Sequence, residues 1–118
     1  MARAGAPTPQ DPVVREVTLD VRLPSAKAVR RVQAREIRIL PHQAAGLHRH
    51  NGPVFGTIVD GAAIYQIEGE AETLLRVGDA FYEPEGARIA RFDAAGDGVT
   101  FAAFFLVGDD EEPELEFL

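Results

Sequence analysis

Two histidines, His48 and His50, stand one residue apart in the run Gly46-Leu47-His48-Arg49-His50. On a strand, residues i and i+2 point to the same side. Both imidazoles would then face one point, which is half of a site for a divalent metal. Catalytic metal sites usually take three protein ligands. The pair is therefore either part of a larger site or two histidines on a surface. His42 follows Pro41 in a loop and is expected at the surface.

Short strands are the elements that would carry these residues. Residues 13–19 alternate weakly and read as a first strand. Residues 29–40 are ambiguous until Arg35, after which the period is that of a strand, with Ile37 and Ile39 on one face. Pro41 ends it. Residues 54–59 lead into Asp60-Gly61, a hairpin signal. Residues 62–67, 72–77, 80–83 and 87–92 are further strands. They are separated by Glu68-Gly69-Glu70, Gly78-Asp79 and Pro84-Glu85-Gly86. A turn is expected over residues 93–98. Residues 99–107 are nearly all apolar and read as a strand buried on both faces. Strands this short and this evenly spaced indicate a sandwich or barrel. The expected organisation is a flexible tail over 1–12, one barrel domain over 13–108 and a solvated acidic tail over 109–118, with Phe117 and Leu118 able to tuck back.

Composition narrows the partners. In 118 residues there is no cysteine, so disulfides and thiolate zinc sites are excluded. A formal net charge of -7 disfavours nucleic acid and anionic membranes. No apolar run is long enough to span a bilayer, and the start does not read as a secretory signal, so a cytoplasmic location is the expectation. Arg22, Lys27, Arg30, Arg31, Arg35 and Arg38 make the early part basic, against the acidic end. These are either solvated faces or ends that pair within a chain or across a dimer. There is no nucleophile elbow, Walker loop, dinucleotide fingerprint or EF-hand spacing.

The spacing around the histidines carries a resemblance. Gly46, His48, His50 and Gly61 match the first motif of the cupin superfamily, and Gly78, Pro84 and Gly86 match the second. Residues 41–107 thus resemble a small single-domain cupin. The resemblance implies an all-β fold, the double-stranded β-helix or jelly-roll barrel. It also implies a frequent homodimer and one divalent metal, commonly Fe, Mn, Zn, Ni or Cu. Two departures stand out. The motif's glutamate falls on Val54, and its last histidine falls on Ile89, or on Ala90 in a shifted register.

Strand parity supplies candidates to complete the site. Glu83 faces the interior if Phe81 does, and a buried carboxylate needs a metal, an arginine or a proton. It would be a ligand or general base, or else it lies in solvent or pairs with Arg88. Tyr65 shares a face with Ala63 and Ile67 and would meet a ligand or cap the core. Gln66 is an oxygen ligand only if it turns inward. Gly56, with Val54, Ile58, Phe81 and Ile89, would leave an apolar pocket beside the histidines, suited to a small, mostly apolar ligand with one chelating or acidic group. Three functions remain open. One is a metal-dependent oxygenase, lyase or isomerase using His48, His50 and Glu83 or Gln66. The others are a non-catalytic ligand-binding barrel and a structural cupin acting through its dimer surface.

Overall fold

The computed structural model describes residues 11–118. Among them are seven strands and no helix: β1 (Arg31–Ile39), β2 (His48–His50), β3 (Val54–Ile67), β4 (Thr73–Arg76), β5 (Ala80–Glu83), β6 (Ile89–Val107) and β7 (Leu115–Phe117). All pairings are antiparallel, in the order β4-β3-β6-β2-β7, with β1 also on β6 and β5 also on β3. The sheet curls round one core, as the barrel implied by the resemblance would. Its centre is a cluster of rings in which Phe92 lies 4.7 Å from Phe101 and 5.0 Å from Phe81. Such tilted and edge-on pairs suit the ring quadrupole.

Two expected turns are instead bends within long strands. β3 runs straight through Asp60-Gly61, and β6 runs straight through residues 93–98. The β3/β6 register shifts on either side of Gly61, which pairs with Val99. Gly61 and Gly98 hold φ of +75° and +83°. A Cβ on Gly61 would strike the Gly98 carbonyl. Left-handed glycine serves a bulge as well as a hairpin, and bulges let a long strand turn a barrel corner. The turns at Glu68-Gly69, Val77-Gly78 and Glu85-Gly86 form where expected.

Three further expectations are corrected. Residues 13–19 form no strand, and Val13, Val14 and Val17 are exposed, so they bury no apolar face. The end of β6 is buried on one face only: Val99, Phe101, Ala103, Phe105 and Val107 point in, while Phe104 is 40% exposed. An antiparallel sheet with one face on the core produces this alternation. Within the acidic end, Leu115–Phe117 form β7 on the edge of β2. Of the tail expected over 1–12, residues 1–10 lie outside the described residues. Among the described residues no helix is long and apolar enough to cross a membrane.

Candidate metal centre

Three buried polar side chains meet inside the barrel. β2 has only three residues, and its alternation buries His48 and His50 while Arg49 points out. β6 and β7 flank it: His48 pairs with Ile89 on one side and Phe117 on the other. Outside, Arg49 donates to Glu116 at 2.9 Å and ties β2 to β7. Glu83 ends β5 and is 4% exposed. Its carboxylate lies 3.3 Å from His48 Nε2 and 3.6 Å from His50 Nε2. One potential ligand atom from each residue lies within 4.8 Å of the others.

Local structure orients the donors. His48 Nδ1 lies 2.6 Å from the Gly46 carbonyl oxygen. An N–H there donates to that carbonyl and leaves the Nε2 lone pair for the interior, as ligating imidazoles require. Gly46 has φ +88°, so the backbone that presents this carbonyl is one that glycine adopts without strain. His50 Nδ1 is buried and has no hydrogen-bond partner among the described residues.

The electrostatics match two ligands and a counter-charge. Burial pushes the Glu83 carboxyl up, but hydrogen bonds and charge from His48 and His50 hold it below its ordinary value. Burial pulls His48 down, yet hydrogen bonds to Glu83 and Gly46 and the Glu83 charge leave it raised. Two imidazoles and a carboxylate form the donor set of several zinc and non-haem iron sites. The residues therefore fit a divalent metal.

Glu83 stands directly opposite Val54 in the β3/β5 pair. Directly opposed residues in an antiparallel pair have Cβ atoms about 4.5–5.5 Å apart. A carboxylate therefore stands across the strand pair from position 54, where the resemblance places the motif's glutamate. Arg88 pairs with Glu68, not with Glu83.

The other candidates lie elsewhere. Tyr65 donates to the Tyr82 carbonyl at 2.5 Å, so its hydroxyl holds β5 one residue before Glu83. Burial first, then the charges of Glu83 and Glu70, raise its phenol well above the ordinary value. Gln66 donates to the Glu70 carbonyl at 2.8 Å across a turn and does not join the three. His42 is exposed, as expected.

A cavity of about 260 Å³ opens beside the three side chains. Val54 lines it, but Gly56, Ile58, Phe81 and Ile89 do not. Gly56 opens no space, because the Phe81 ring fills the room it leaves; a Cβ there would also lie 2.6 Å from the Ala102 carbonyl. The walls come instead from β1, β6 and the end of the chain: Ile37, Phe101, Ala103, Phe105, Leu115 and Phe117. Arg35 lines it too. In the sequence Arg35 stood out only among the early basic residues, as solvated surface or a partner for the acidic end, although it shares strand parity with Ile37 and Ile39.

Comparison with known proteins agrees with this architecture. Residues 35–105 match the cupin domain family. A DMSP lyase from Ruegeria pomeroyi superposes with TM-score 0.62 at 18% identity, over 70% of this chain and 42% of that one. A cupin-like protein from Thermotoga maritima gives 0.64 at 18% identity, over 74% and 64%. Oxalate decarboxylase from Bacillus subtilis gives 0.60 at 23% identity, over 74% and 24%. The chain spans under half the length of both enzymes. No curated protein matches the sequence.

Proposed function

The chain belongs to the cupin domain family, and we propose that it binds a divalent metal through His48, His50 and Glu83 and acts on a small, partly apolar organic molecule in the adjoining cavity. The observation that carries this reading is the convergence of three buried donors within 4.8 Å. A buried carboxylate is retained at a cost unless it is paired, and here it faces two imidazoles. The similar structures include a DMSP lyase, an oxalate oxidase and an oxalate decarboxylase, all small-molecule enzymes by name.

Each residue has a definable part. His48 is held by the Gly46 carbonyl with Nε2 facing inward. Glu83 offsets positive charge in a place with little water. Tyr65 anchors the β5 backbone beside Glu83 and positions it. Ile37, Phe101 and Phe105 give the cavity apolar walls beside the three polar side chains. A metal held by these residues would supply Lewis-acid or oxygen-activating chemistry, as a lyase, isomerase or oxygenase needs.

Metal analysis of the purified protein tests the reading. About one divalent ion per chain is expected, with loss in His48→Ala/His50→Ala and in Glu83→Gln. If the wild type stays metal-free after dialysis against iron, manganese, zinc, nickel and copper, the proposal fails. A metal-free ligand-binding barrel is the second reading. One observation favours it: His48 and Glu83 already satisfy each other at 3.3 Å.

A further inference from the structure

We infer that Arg35 selects the ligand of this cavity, and that the ligand is a small monocarboxylate with an apolar body. The inference rests on the proposed metal centre for the position of the reacting end, and on Arg35 for the carboxylate.

β1 brings Arg35 to the rim of the cavity. Its exposure pattern puts Ile37 and Ile39 on the covered side, and Arg35 has the same parity. Arg35 is itself exposed, so it stands at the cavity rim while Ile37 and Ile39 lie against the core. Its Cζ lies 4.7 Å from the Phe105 ring centroid. The Phe105 ring is in turn 5.7 Å from the His50 ring. Guanidinium, aromatic wall and metal-ligating imidazole therefore follow one another along one side of the cavity.

The guanidinium is available at its outer edge. Arg35 Nε donates to Gln33 Oε1. Among the described residues, no ion pair joins Arg35 to a carboxylate, although Glu114 also lines the cavity. A guanidinium fork binds a carboxylate through two parallel hydrogen bonds, and contact with an aromatic face holds its plane.

Size and charge set the rest of the ligand. At about 260 Å³ the cavity is below the roughly 300–1,000 Å³ of drug-sized sites. Its walls are largely apolar, with Ile37, Phe101, Ala103 and Leu115 among them. Arg35 is the one arginine or lysine among its described lining residues, so a second anionic group has no such partner there. Glu114, which also lines the cavity, repels a dianion further. One carboxylate at the rim, an apolar chain and a reacting end at the metal centre satisfy these conditions together.

Pentanoate and pentanamide form a matched probe pair. Binding of each to the metal-supplemented full chain is measured by calorimetry for wild type, Arg35→Gln and Arg35→Lys. Wild type should prefer pentanoate by about tenfold or more, the scale of one charge-assisted bidentate pair. Arg35→Gln should lose that preference at unchanged metal content and unchanged circular dichroism. Arg35→Lys should recover only part, since an ammonium lacks the fork. Equal binding of the two probes to wild type, binding of neither, or an intact preference in Arg35→Gln would each overturn the inference. An Arg35-dependent preference in a protein that holds no metal would uphold the role of Arg35 while the metal proposal alone fails.

Discussion

At the scale of residues, the register between Val54 and Glu83 makes a sharp prediction. The two face each other across β3 and β5. Glu83→Val should abolish metal binding, and adding Val54→Glu should restore a measurable part, because the carboxylate returns to the same wall. Metal affinity by competition with a chromogenic chelator checks this. No recovery in the double variant, with the fold intact, contradicts it. The pH behaviour is also predictable. Glu83 is held low, so its contribution to folding is present above the ordinary carboxylate range and is lost as pH falls through its lowered value. His48 is raised, so its contribution is present below the ordinary imidazole range and is lost as pH rises through its raised value. Without metal, the thermal midpoint should be highest in the mildly acidic window between them, and Glu83→Gln should flatten that maximum. Metal affinity should run the other way across this window, weakening on acidification, because His48 must lose its proton to ligate.

Elements set how well these residues stay together. β2 is three residues long and lies between β6 and β7. Without β7, one side of the histidine strand loses its ladder, and Leu115 and Phe117 leave the cavity wall. Truncation after Gly108 should weaken metal affinity about tenfold or more, the usual scale when groups that support metal ligands are lost. An unchanged affinity would make β7 an ornament of the fold. The barrel corner is a second such place. Gly61→Ala puts a Cβ at φ +75° against the Gly98 carbonyl. The cost should be about 1–3 kcal/mol, read as a lower denaturation midpoint. The Asp60-Gly61 pair reads locally as a hairpin because hairpins and bulges both call for glycine at positive φ. Only pairing across the long β3/β6 ladder separates the two.

For the whole molecule, the proposed metal centre predicts that metal binding and folding are coupled. The centre draws its donors from β2 and β5, so an unfolded chain has no such site. A metal at about one hundred times its dissociation constant should stabilise the fold by about 2.7 kcal/mol. Differential scanning fluorimetry should then show a midpoint roughly 10 °C higher with the cognate metal. Removal by chelator should reverse it, and no shift with any of the five metals would speak against the centre. The buried core of Phe81, Phe92 and Phe101 does not depend on metal, so the chelated protein should remain folded.

What local chemistry dictates was legible along the chain. Period-two alternation put His48 and His50 on one side, and glycine-centred turns marked the ends of β3, β4 and β5. The motif spacing around Gly46, Gly61, Gly78, Pro84 and Gly86 identified the fold. Parity made Glu83 inward if Phe81 was, yet could not give it a partner. Tertiary structure decided that partner, because residues 48 and 83 meet only through the register of separate strands. It also removed Tyr65 and Gln66 from the centre, through hydrogen bonds to Tyr82 and Glu70. It moved the cavity from Gly56 to the β1 wall, since Phe81 fills the gap. The acidic end shows the same limit: its charge pattern described a solvated tail, and only the open edge of β2 made a strand of Leu115–Phe117. Alternation and turn chemistry act within a few residues, whereas register and wall packing depend on segments tens of residues apart.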